Sequence, residues 1–226
     1  MNVSEIWIPL ALTLKLAAVT TALLLLLCAP LAWWLAHTRS RFKPFLEAIV
    51  ALPLVLPPSV LGFYLLVCLA PSGPIGQLSA ALGGPALVFS FPGLVIGSLL
   101  YSLPFVAQPL QNAFASLSSE QREAAATLGA SPLDRFFSIA LPQAKGGILT
   151  ATVLGFAHTL GEFGVVLMIG GSIPGETRTL SIAIYESVEM LEYGKAHLLA
   201  GTVLALSFLL LVPIYALNRS NRFFQR

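Results

Sequence analysis

Residues 118–142 read SSEQREAAATLGASPLDRFFSIALP, the one long hydrophilic interruption in a strongly apolar sequence. The stretch predicts two short helices joined by a tight turn. Ser118 and Gln121 have the spacing of a capping box, in which hydroxyl and amide each satisfy a backbone N–H at a helix start, and QREAAATL supplies strong helix formers. Gly129 stops that helix, because glycine enters a left-handed conformation without steric cost. Ser131 is placed as the next N-cap, with Pro132 at the first helical position and Asp134 three residues after the cap. This second helix is expected to end at Pro142. Such a knob either presses into another protein or merely connects two spans.

Around the knob, 57% of residues are hydrophobic and 10% charged, with a mean hydropathy of +0.86. A soluble domain carries roughly 25% charge, so the composition is that of an all-α integral membrane protein. The 226 residues make one transmembrane domain, 1–226, with room for about five or six spans of roughly 20 residues. The net charge of +2 is small and locally clustered, which argues against a nucleic-acid partner. Cys28 and Cys68 lie in apolar runs without a Cys or His neighbour at metal-ligand spacing, and read as packing residues. The opening MNVSEIWIPL lacks a basic n-region, so the first apolar stretch is expected to stay in the protein.

Leu10 to Ala36 is long enough to cross a bilayer, carries Trp33 and Trp34 at its end and runs into the basic loop HTRSRFKPF. A second span is expected from about Phe45 to Leu69, a third from Pro92 to Phe114 interrupted by Pro104 and Pro109, a fourth from Gly146, and a last from His197 to Leu217. Residues 70–90 read as an external loop with room for a short interfacial helix, and residues 172–196 as an external loop plus a short or re-entrant helix. Of the twelve Lys and Arg, nine (Arg39, Arg41, Lys43, Arg122, Arg135, Lys145, Arg219, Arg222 and Arg226) fall in the segments assigned to the cytoplasm. That asymmetry predicts five full crossings, N-terminus out and C-terminus in, with room for a sixth short or re-entrant element.

Pro53, Pro57 and Pro58 fall inside the second span, where prolines remove backbone donors that hydrocarbon cannot replace. The segment is therefore a pathway wall or a packing kink. In the fourth span His158 and Glu162 lie four apart on one helical face. Ionisable groups at that depth face the bundle interior or a wet cavity. Glu162, between Gly161 and Phe163-Gly164, is expected to satisfy backbone or hydroxyl donors where the helix bends; the other reading, a metal or proton site, lacks a third ligand. His197 reads as interfacial, and no phosphate-binding G-x-x-x-x-G-K-[ST] loop exists, so the chain is not expected to hydrolyse ATP itself.

Glu123, Ala124, Ala125, Gly129, Ile139, Leu141 and Pro142 fit the pattern E-A-A-x3-G-x9-I-x-L-P, and in this the chain resembles the membrane subunits of ABC importers. LPLVLPPSVLGFYLL at 52–66, TLGEFGVV at 159–166 and IPGETRTL at 173–180 resemble the permease subunit of molybdate importers in particular; the second is shared with sulfate and tungstate permeases. The resemblance implies the type I importer fold in a bacterial cytoplasmic (inner) membrane, with residues 118–142 as coupling helices. It also implies a homodimer of this chain paired with two copies of an ATP-binding subunit, which hold the ATP and Mg, and an external or periplasmic molybdate-binding protein. This chain itself would bind no cofactor or metal and would not be an enzyme.

A dianion in a low-dielectric pore needs donors that do not hold it too tightly. Besides the breaks at Pro57 and Pro58 and the carboxylate of Glu162, the candidates are Ser59, Thr159, Thr177, Arg178, Thr179 and Ser181, with Arg178 able to steer the anion. Each is equally suited to a cap or a loop. The same architecture carrying tungstate, sulfate or thiosulfate is the near alternative. A self-sufficient secondary transporter, or an intramembrane enzyme using His158 and Glu162, is the alternative from another class.

Overall fold

The computed structural model of the chain describes the backbone of residues 3–223, and the side chains within it other than those at 3, 4, 119, 121, 122, 126 and 213–223. Gln121 of the expected capping box, and Arg219, Arg222 and Arg226 of the basic tail, lie outside the described side chains. All regular structure among the described residues is helical.

Helix α1 (Val3–His37) is followed by α2 (Lys43–Val55), α3 (Pro58–Leu69), α4 (Pro74–Ala81) and α5 (Phe91–Ala115). The knob comprises α6 (Ser119–Thr127) and α7 (Pro132–Asp134), which continues through π-helical turns at Arg135–Ala140 into α8 (Leu141–Gln143). Then follow α9 (Lys145–Leu160), α10 (Gly164–Gly170), α11 (Leu180–Glu189) and α12 (Tyr193–Phe223).

Four stretches are long and apolar enough to cross a membrane: Glu5–His37, Pro58–Ala81, Phe91–Ala115 and Tyr193–Val212. The pair α9 and α10, bent by 59°, makes a fifth if it counts as one span. The chain is thus a multi-pass, all-helical membrane protein.

Two expectations need correction here. The segment from Phe45 to Leu69 is not one span: α2 stops at Val55, and Leu56 and Pro57 adopt extended backbone before α3 begins. The span-length stretch starts instead at Pro58 and includes α4, the short helix for which residues 70–90 were expected to have room. Nor is the third span interrupted, since α5 runs unbroken through Pro104 and Pro109. Pro104 is buried among the packed helices, a setting in which prolines are tolerated within a membrane helix.

Helices α1, α5 and α9 pack on one another and hold the largest core cluster, in which Leu24, Cys28 and Leu35 meet Val106, Leu110, Phe114 and Ala151. Small residues set the approach, as they do wherever helices meet without water to drive them together. A Cβ on Gly155 would sit 2.5 Å from Val106 Cγ2, too close to be tolerated. The short α10 lies between α3 and α5, with Val165 and Ile169 packed on Leu65 and Leu69. Helix α11 joins α12 through Leu180, Ala183 and Leu199.

Candidate functional site

The knob is built by local rules. Helix α6 ends at Thr127, and Gly129 follows with φ +84°. The Ala130 N–H donates to the Ala125 carbonyl (3.0 Å), the six-to-one bond of a Schellman turn. Ser131 caps the next helix, its hydroxyl accepting from the Asp134 N–H at 3.1 Å. Ser138 Oγ then donates to Asp134 Oδ1 at 2.8 Å.

The expected stop at Pro142 is not observed. The Leu141 N–H reaches back to the Phe136 carbonyl in a π-type bond, and the helix carries on through Gln143. A wider turn ahead of Pro142 accommodates its ring, and as the second residue of the α-helical segment that follows its missing N–H costs little.

Glu123, Ala124, Gly129 and Pro142 are exposed, while Ala125, Ile139 and Leu141 are half-buried. The knob also exposes apolar residues outside the motif: Leu128 at 89%, Leu133 at 70% and Phe137 at 62%. On its inner side Phe136 is buried against Trp33 of α1 (ring centroids 5.9 Å) and Phe114 of α5 (6.0 Å), and Trp33 meets Phe114 edge-on at 5.4 Å. Trp33 is therefore a packing residue of the knob's base, whereas Trp34 is 45% exposed.

The second site is a cleft of about 610 Å³ lined by Pro58, Ser59, Tyr101, Ala157, His158, Gly161, Glu162, Phe163 and Gly164. Its walls are the start of α3, the middle of α5 and the break between α9 and α10. The break and the start of α3 touch directly, since a Cβ on Gly164 would lie 2.8 Å from Pro58 Cβ. Ser59 is exposed in the first turn of α3, a helix whose N-terminus has no side-chain cap and opens onto the cleft.

Glu162 is 4% exposed, and among the described residues neither of its carboxylate oxygens has a well-formed hydrogen bond. The Ser98 hydroxyl of α5 approaches the carboxylate without closing a well-formed bond. The expectation that Glu162 satisfies backbone donors at the bend therefore does not hold. Those donors are already taken within the helix: the Gly161 N–H by Ala157 and His158, and the Glu162 N–H by Thr159. It is instead the Glu162 backbone carbonyl that is bonded, accepting from Ser181 Oγ at 2.6 Å.

Of the candidate pathway residues, Pro58, Ser59 and Glu162 come together on the cleft, and Pro57 precedes them. Ser181 reaches the back of the bend. Thr159 is buried behind it, its Oγ1 donating to the Gly155 carbonyl (3.0 Å) and meeting Ser102 Oγ at 3.0 Å. Thr177, Arg178 and Thr179 are not among the lining residues. Thr177 Oγ1 donates to the Gly170 carbonyl and accepts from the Ile173 N–H, closing the loop after α10. Thr179 Oγ1 pairs with Ser181 Oγ at 3.0 Å. Arg178 is held by Glu186 at 2.7 Å, beside a small pocket formed with Glu5 and Pro9 of α1.

Tyr101, Ser98 and Ser102 of α5 are site residues that sequence reasoning missed. Nothing in their immediate surroundings flags them; the packing of α5 against α9 brings them in. Among the described residues no cluster of three or more His, Cys, Asp or Glu could hold a metal.

Residues 28–226 match the family model of the binding-protein-dependent transport system inner membrane component. The chain is 58% identical over 208 residues, 92% of each chain, to the molybdenum transport system permease protein ModB of Azotobacter vinelandii. It is 36% identical to the probable sulfate transport system permease protein cysT of Zygnema circumcarinatum, across 90% of this chain and 69% of that one. Among solved structures, the inward-facing MetNI methionine ABC transporter aligns with a TM-score of 0.73 at 17% identity, covering 97% of this chain and 99% of that one. The chain belongs to the family of inner membrane components of binding-protein-dependent transport systems.

Proposed function

We propose that this chain is the membrane-spanning permease subunit of an ATP-driven importer that carries molybdate across the bacterial cytoplasmic membrane by alternating access. The observation that carries the reading is the 58% identity to a molybdenum transport permease over 92% of both chains. The chain is a transport subunit and not an enzyme. In this reading ATP and Mg sit on a separate ATP-binding subunit present in two copies, and an external molybdate-binding protein delivers the cargo. Two copies of this chain form the pathway, each crossing the membrane five times with its N-terminus outside and its C-terminus inside.

The knob at 119–143 is the coupling element, offering Glu123, Ala124, Leu128 and Leu133 to a groove on the ATP-binding subunit. Movement passes through Phe136 to Trp33 and Phe114, and so into α1 and α5. The cleft is the pathway wall. Ser59, with its hydroxyl and its backbone N–H in the first turn of α3, offers donors to an oxyanion without the grip of a basic cluster.

The 36% identity to a sulfate permease favours sulfate as the second cargo reading. Uptake of labelled molybdate by cells with and without this chain, challenged with excess tungstate and excess sulfate, separates the two. Loss of uptake on deletion, with competition by tungstate and none by sulfate, is the expected result. Unchanged molybdate uptake alongside lost sulfate uptake would keep the importer architecture and discard molybdate.

A further inference from the structure

A cleft that passes a dianion would be expected to carry a cation, yet no Lys or Arg is among its lining residues and Glu162 is a carboxylate. His158 is the lining side chain able to become positive. Phe105 stacks on one side of its ring (centroids 3.8 Å, 23°) and Tyr101 packs at 4.7 Å, aromatic faces of the kind that favour an imidazolium. Its Nδ1 lies 2.8 Å from Ser102 Oγ, which leaves Nε2 as the ring nitrogen that this contact does not engage.

The protons of this relay can be placed by counting. Thr159 Oγ1 lies 3.0 Å from the Gly155 carbonyl, which can only accept, so the threonine proton goes there. The 3.0 Å contact between Ser102 and Thr159 then requires the serine proton. The 2.8 Å contact between Ser102 and His158 is left to be bridged by a proton on Nδ1. This arrangement alone puts a proton in every one of the three contacts. It fixes neutral His158 as the Nδ1–H tautomer with a bare Nε2, which can donate to an oxyanion after gaining a second proton.

Resting on the importer reading, we propose that His158 is the anion-contacting group of the cleft, acting through Nε2 as an imidazolium that gains one proton as the oxyanion enters and loses it as the oxyanion leaves. The proton comes from water on the entry side. It forms the Nε2–H bond, the new N–H donates to an oxyanion oxygen, and on exit the proton returns to water. Ser102 and Thr159 act as positioning residues. The other ionisable groups on the cleft are Glu162, after α9, and Tyr101 on α5; α3 contributes Pro58 and Ser59, and α10 contributes Gly164.

The test is uptake of labelled molybdate by the complete transporter reconstituted in vesicles, measured from about pH 5.5 to about pH 8.5 across the ordinary histidine range. Wild type, His158→Arg and His158→Gln are compared, so that any pH dependence of the ATP-binding subunit or binding protein is common to all. Wild-type uptake is expected to fall as pH rises, by about tenfold per unit, because each anion bound takes up one proton. The Arg variant should keep uptake with a flat profile, and the Gln variant should be slow throughout. Ser102→Ala should raise KM, with rescue by Ser102→Thr.

A Gln variant with wild-type rate and profile would overturn the proposal. If that variant does not reach the membrane, an Arg profile as steep as wild type would overturn it equally. No molybdate uptake by the unmodified transporter would overturn the cargo reading instead, and the same three proteins measured with sulfate would then decide the role of His158.

Discussion

At Gly129 the backbone stands at φ +84°, yet a Cβ built there would meet nothing within 4 Å. The glycine is required by conformation, not by space. An L-residue pays about 1–2 kcal/mol in the left-handed region, Asn the least, while a β-branched side chain is a true outlier. Gly129→Asn is therefore expected to keep most molybdate uptake. Gly129→Val should lose at least about tenfold, a penalty of roughly 1.4 kcal/mol or more, while the protein still reaches the membrane. Uptake and co-purification of the ATP-binding subunit, measured on both variants, check this; equal behaviour of the two would show that the turn's handedness does not matter. Gly129 was legible from sequence because its requirement is local. Glu162 was legible as unusual but not in its role, because which group satisfies the bend depends on where the backbone carbonyls of Ala157, His158 and Thr159 point.

Among the elements, the knob has an outer face of exposed Leu128 and Leu133 and an inner face where Phe136 meets Trp33 and Phe114. Docking and transmission should therefore separate. Phe136→Ala removes a buried ring, a change that costs about 3–5 kcal/mol in a well-packed core and somewhat less at this edge. The variant is expected to bind the ATP-binding subunit while uptake collapses and ATP hydrolysis persists uncoupled from transport. Loss of docking together with transport would instead show that the aromatic base merely holds the knob's shape. The two knob helices were readable because caps at Ser131 and Gly129 act within a few residues. The π-helical turns before Pro142, and the continuity of α5 through Pro104 and Pro109, were not, because a proline marks a lost donor in the sequence but not whether the helix breaks there, widens around it or runs on.

Across the whole molecule, composition marks the membrane and the charge asymmetry suggests an orientation, but the site emerges only from packing. Ser102 and His158 stand 56 residues apart and meet because α5 lies against α9. No periodicity within either helix encodes that pairing. The cleft they share has walls from α3, α5 and the α9–α10 break, and Ser59 at its edge is exposed. Hydrocarbon does not satisfy an open cleft that exposes Ser59 at a helix start, so this face is expected to meet protein or water. If two copies form the pathway as proposed, the two clefts are expected to face each other. With Cys28→Ala and Cys68→Ala as background, Ser59→Cys is expected to be joined between copies by a short bifunctional thiol reagent, with arrest of uptake. A cysteine at Leu204, on α12 and 72% exposed, should give no cross-link and keep uptake. Cross-linking at Leu204 and none at Ser59 would put the partner on α12 and leave the cleft without its second wall.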